Sequence, residues 1–150
     1  AGQGVGPLAG VDLSPGMLAH ARRRHPGAAL AAADLAALPH ATASVRGVLC
    51  WYAIIHSTPA EVATIAGELA RVLVPDGVVL LGFQSGSGER VVDGTAYRQD
   101  TTLHGVLHEP AEIAGVLGGR GFAVLATARR TATAGERHDH GFVLARRIQA

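Results

Sequence analysis

Residues 8–18, LAGVDLSPGML, constrain this chain more than any other stretch. A short apolar run reaches an acidic residue, Asp12, and a helix start follows at once. Ser14 is a good N-cap, and Pro15 suits the first helical position. A carboxylate at the carboxyl end of a parallel strand, in a βα turn, is where doubly wound proteins hold ribose hydroxyls. The rest of the chain reads as the sheet that positions this turn.

At 150 residues, a single domain spanning 1–150 is expected from length, with room for a substantial core. Hydrophobic residues make up 48% but aromatic residues only 4%, so that core is expected to be aliphatic. The net charge of +1, with no basic stripe, gives no case for nucleic acid or an acidic membrane surface. Arg22, Arg23 and Arg24 read as a solvated helix face. Cys50 stands alone, so no internal disulfide is possible. With nothing resembling a signal peptide, a cytoplasmic location is expected. The longest apolar stretch, residues 72–83, is cut by Pro75 and Asp76 and falls short of a membrane span.

In chain order, residues 8–11 read as a strand and 15–25 as a helix stopped by His25-Pro26-Gly27. Residues 28–33 form a second strand and 35–44 a loop. Residues 45–52, VRGVLCWY, are a stronger strand. Thr58-Pro59-Ala60-Glu61 spells a capping box with proline at the first helical position. Val62, Ile65, Ala66, Leu69, Val72 and Leu73 follow as one apolar helical stripe, which Pro75-Asp76-Gly77 is expected to end. Residues 78–83 read as a buried strand and 84–107 as a long polar connection of the kind that forms lids. A helix over 110–117 and strands over 122–127 and 142–146 complete the chain. The last two strands are joined by a charged loop, so they are expected to form an antiparallel hairpin at one edge. Alternating β and α elements with such a hairpin predict an α/β sheet covered by helices.

Four stretches together resemble the class I S-adenosylmethionine-dependent methyltransferases, especially small bacterial ones acting on small molecules. They are GVDLSPGML, AADLAALP, VRGVLCWYAIIHSTP and ELARVLVPDGVVLLGF, in that order. The resemblance implies a Rossmann-like methyltransferase sheet, mostly parallel and closed by the antiparallel hairpin. It further implies that Asp12 binds the ribose hydroxyls of S-adenosylmethionine, with Leu13 and Met17 near the adenosine. Asp34 would accept from the adenine amine, and Leu35 would donate its backbone amide to the ring. Cys50 and Trp51 would lie beside the methionine portion, and Tyr52 and His56 would face the acceptor. A carboxylate accepts and never donates, which suits two hydroxyls or an amine.

The family's first strand and glycine-rich turn normally precede the acidic residue by roughly 20 residues. Here eleven residues precede Asp12, and Gly2-Gln3-Gly4-Val5-Gly6 spells GxGxG with no room for a strand before it. The sheet is therefore expected to lack its first strand and helix. Two apolar strands then lose their neighbour, and direct pairing or a second chain is expected to fill the gap. Losing two hydrogen bonds to charged groups costs roughly 3–6 kcal/mol. That is on the order of a hundredfold to ten-thousandfold in cofactor affinity.

His56 is the candidate base, the alternative being a surface loop histidine. Trp51 and Tyr52 either line a substrate pocket or belong to the core. His104 and His108 are four apart, but Gly105 and Pro110 argue against the helix a metal pair would need, and no metal is expected. His138-Asp139-His140 reads as a solvated loop. Two functional readings stand. One is methyl transfer to a small-molecule acceptor, oriented or deprotonated by Tyr52 and His56. The other is a pseudo-methyltransferase serving as a binding module or running a reaction without the cofactor. A chain that is a fragment of a longer protein is a third possibility.

Overall fold

The computed structural model describes residues 7–93 and 102–148. The chain forms two compact units, Ala1–His40 and Ala41–Ala150. In the first, β1 (Ala9–Asp12) leads into α1 (Pro15–Arg24), which returns to β2 (Ala29–Ala32). The two strands are parallel and in register from Ala9 opposite Ala29 to Asp12 opposite Ala32. The Ser14 side chain accepts from the Met17 amide and so caps α1, as its position implies. Arg22 is exposed, yet its guanidinium donates to the Leu30 carbonyl at 2.9 Å, tying α1 to β2. Among the described residues of this unit, Leu18 and Leu38 are the buried apolar side chains.

The second unit begins with β3 (Val45–Trp51), α2 (Pro59–Val72) and β4 (Leu73–Ser85). It continues with β5 (Glu89–Asp93), β6 (Thr102–Val106), α3 (Pro110–Gly118), β7 (Phe122–Arg130) and β8 (Asp139–Arg147). Its main sheet has the order β3-β4-β8-β7. β3 and β4 are parallel, while β8 runs antiparallel to both β4 and β7. The sheet is thus mixed, with the expected hairpin at one edge. The capping box of α2 forms in full: Thr58 Oγ1 accepts from the Glu61 amide, and Glu61 Oε2 accepts from the Thr58 amide at 2.6 Å. The stripe Val62, Ile65, Ala66, Leu69 and Val72 is buried. Alternate residues of β4 (Val79, Leu81, Phe83) and β8 (Val143, Ala145) complete this core with Ile113 and Leu117 of α3.

Three expectations change. First, α2 ends at Val72, before the Pro75-Asp76-Gly77 turn, and Leu73 is already extended. The residue before a proline is pushed out of helical geometry, so the break begins upstream of Pro75. The turn becomes a bulge inside β4: Val45 pairs with Leu73 and Gly47 with Val78, leaving 74–77 opposite Arg46. Second, the connection over 84–107 contains the antiparallel β5–β6 pair, in register from Glu89 opposite Val106. Residues 94–101 of that connection, and the Gly2–Gly6 run, lie outside the described residues. Third, the closing strands reach further into the charged loop, so Asp139 and His140 start β8.

β3 is an edge strand of its sheet, with Leu49 and Trp51 exposed. Among the described residues no helix is long and apolar enough to cross a membrane.

Candidate active site

The first unit carries two acidic side chains on one rim. Asp12 is the last residue of β1, and Asp34 follows the end of β2 by two residues. Because the strands are parallel neighbours, both carboxylates stand at their carboxyl ends, where open α/β sheets bind ligands. Each is held the same way. Asp12 Oδ1 accepts from the Ser14 amide at 2.7 Å, and Asp34 Oδ1 accepts from the Ala36 amide at 2.8 Å. These turns hold the carboxyl groups through Oδ1. Among the described residues neither forms a salt bridge, and both are exposed. Leu13 and Met17 are 71% and 60% exposed, and Leu35 is half-buried. Two acceptor-only groups beside bare apolar side chains suit a ligand that joins hydroxyls and an amine to a flat ring.

The second unit presents the carboxyl end of β3. Cys50 points into the core, 3% exposed, and burial pushes its thiol up to about 11, so it stays protonated near neutral pH. Trp51 is 52% exposed and stacks on Phe142, with centroids 5.8 Å apart. Gly82 makes room for it, since a Cβ there would stand 2.8 Å from the indole ring. Tyr52 leaves the strand at φ +53°, a left-handed conformation costly for a bulky residue, with its amide donating to the Gly82 carbonyl at 2.7 Å.

The Tyr52 hydroxyl is hydrogen-bonded to His140 Nδ1. His140 Nε2 in turn lies 2.9 Å from Glu136 Oε1, close enough for an ion pair but outside hydrogen-bond geometry. Arg130 grips the same carboxylate with two bonds at 2.7 and 2.8 Å, and Thr133 adds its amide and hydroxyl. Arg130, followed by Thr133, holds Glu136 well below the usual carboxylate range, so it is ionised. Burial pushes the Tyr52 phenol up, outweighing the opposing pull of Arg130, so it keeps its proton near neutral pH. His56 is exposed, and its Nδ1 donates to the His104 carbonyl at 2.5 Å. That bond leaves Nε2 with its lone pair in the neutral ring.

His140 and Glu136 were not visible as site residues in the sequence. His140 is 9% exposed on β8, not solvated in a loop. Alternation over residues 139–147 buries Gly141, Val143 and Ala145, and His140 is buried on the opposite face, so no local pattern marks it. His104 sits on β6 and His108, buried, bonds the Ile54 carbonyl through Nε2 at 3.3 Å. Among the described residues no three His, Cys, Asp or Glu side chains gather as a metal site.

A family profile described as a methyltransferase domain matches residues 1–77. The chain belongs to the methyltransferase-domain family. Solved structures agree with it on the fold. An S-adenosylmethionine-dependent methyltransferase of Methanosarcina mazei superposes with a TM-score of 0.79 at 15% identity, covering 95% of this chain and 82% of that one. One from Mesorhizobium loti gives 0.72 at 20% identity, covering 93% and 79%. The [4+2]-cyclase SpnF gives 0.70 at 13% identity, covering 95% and 66%. No curated protein matches this chain by sequence. Its fold is the Rossmann-like fold of the class I methyltransferases, whose methyl donor is S-adenosylmethionine.

Proposed function

We propose that this chain transfers a methyl group from S-adenosylmethionine to a small-molecule acceptor. The observation that carries the reading is the pair of carboxylates, Asp12 and Asp34, fixed alike at the ends of neighbouring parallel strands. Bound S-adenosylmethionine would supply an electrophilic methyl group. Asp12 would hold the ribose hydroxyls and Asp34 the adenine amine, with the Leu35 amide on the ring and Leu13 and Met17 against it. Cys50 contributes backbone only, its thiol being in the core. Tyr52 and His56 face the acceptor, and His56 Nε2 is free of the bond that fixes its ring. Catalysis of this kind is largely placement of a nucleophile, aided by a base.

Calorimetry with S-adenosylmethionine and S-adenosylhomocysteine tests the reading, with transfer of labelled methyl to a panel of small hydroxyl and amine compounds. Micromolar cofactor binding and labelled product support it. No binding at millimolar ligand sinks it. That result would favour the second reading, a SAM-independent reaction at the acceptor side or a binding role. The fold likeness to a [4+2]-cyclase lends this second reading support.

Self-association belongs to the same proposal. The exposed apolar residues of the β3 edge, Leu49 and Trp51, invite a partner strand from a second copy. Light scattering is expected to give a mass above the 15.3 kDa of one chain. A monomer at high concentration removes this part of the proposal.

A further inference from the structure

We propose that Tyr52, His140 and Glu136 form a proton relay that draws the proton from an acceptor hydroxyl at the end of β3. This rests on the reading of that strand end as the acceptor side. Glu136 is an ionised carboxylate and therefore only accepts. Nε2 of His140 lies 2.9 Å from Glu136 without hydrogen-bond geometry, and the charge of that carboxylate alone favours a hydrogen on Nε2, which leaves the Nδ1 lone pair to Tyr52. The phenol's hydrogen is thereby committed to His140. Its oxygen then has only lone pairs left to give, so the chemistry it recognises is a donor, an acceptor compound's own O–H.

The transfer balances as two coupled proton shifts. The acceptor O–H bond breaks, and its proton forms a new O–H bond on Tyr52. The original Tyr52 proton moves to His140 Nδ1. The acceptor becomes an oxyanion and His140 an imidazolium, whose charge lies beside Glu136. Among the described residues, Arg130 and Asp139 are the other charged groups that act on this cluster. Arg130 is already paired with Glu136, and Asp139 with Arg129. The left-handed turn at Tyr52 is part of the device, because an ordinary strand continuation would aim the ring elsewhere. Tyr52 is the catalytic residue, and His140 and Glu136 act through it as positioning residues.

The test uses 4-nitrophenol, whose ionised form absorbs visible light, with the full chain and no cofactor. One pH unit below the probe's own pKa, about a tenth of it is ionised in solution. The ionised share of bound probe is expected to rise several-fold. Tyr52→Phe removes the relay's first atom and should abolish the rise. His140→Asn is the sharper variant: its amide oxygen accepts from Tyr52 but takes no proton, so the probe should bind without the colour. Circular dichroism checks that both variants fold. No rise in the unmodified chain, or a rise that survives in His140→Asn, overturns the relay. Failed methyl transfer with the colour change intact would count against the methyltransferase reading and leave the relay standing. Tight cofactor binding without the colour change would do the reverse.

Discussion

Asp12→Ala is expected to remove S-adenosylmethionine binding from the measurable range. Two ribose hydroxyls donating to one ionised carboxylate make two charge-assisted bonds, each worth about 1.5–3 kcal/mol. Losing both costs on the order of a hundredfold to ten-thousandfold in affinity. Calorimetry reads this directly. The substitution also frees the Ser14 amide, which Asp12 Oδ1 now holds at 2.7 Å. That bond is charge-assisted as well, but it is a single bond at an exposed turn, so the thermal midpoint should move less than binding does. Asp12→Asn separates the two effects. Its amide oxygen keeps the Ser14 bond, but its second position becomes a donor facing hydroxyls, and binding should still fall by most of the same amount. Asp34→Ala, which loses one amine contact, should weaken binding less than Asp12→Ala. If Asp12→Ala binds as well as the unmodified chain, the rim of β1 does not hold the sugar, and the methyltransferase fold here carries some other ligand.

The rim was legible in the sequence because each of its parts is local. Asp12, Ser14 and Pro15 specify a strand end, a cap and a first turn within four positions, and α1 starts where they put it. The same holds for α2, whose capping box and apolar stripe span consecutive turns of one helix. What was not legible depends on pairing at a distance. Nothing in Pro75-Asp76-Gly77 says that it will stand as a bulge opposite Arg46, because that is decided by the register of β3 against β4. β5 and β6 are each five residues, too short for alternation to separate them from loop. The Tyr52–His140 contact joins residues 88 positions apart, and a histidine flanked by charges reads as solvent-facing until β8 is placed between β4 and β7. Local rules therefore reach the rim that carries Asp12 and Asp34. The groups around Tyr52 emerge only once the sheet of the second unit is assembled.

That placement of β8 depends on a residue without a side chain, and Gly141→Ala is expected to lower the thermal midpoint by about 6–12 °C. Gly141 pairs with Phe83 across β4 and β8. An added methyl there would overlap Phe83 Cε2 and come within 2.8 Å of Cζ and 3.1 Å of Cδ2. Phe83 is fully buried, and its ring meets His108 edge to face with centroids 6.2 Å apart, so it has little room to withdraw. Overpacking of this kind costs about 1–3 kcal/mol, and a contact this close belongs at the upper end. At roughly 2–4 °C per kcal/mol for a chain of this size, the shift follows. The cause is steric alone, since the Gly141 backbone lies outside the left-handed region. Phe83→Leu gives the control. Alone it leaves a cavity and destabilises, but combined with Gly141→Ala the new methyl occupies space the ring vacated. The double variant should then be more stable than the sum of the singles predicts. A midpoint that stays within about 1 °C for Gly141→Ala, or strict additivity in the pair, would mean that β8 does not lie against Phe83. His140, the residue before it on that strand, would then have no fixed place beside Tyr52.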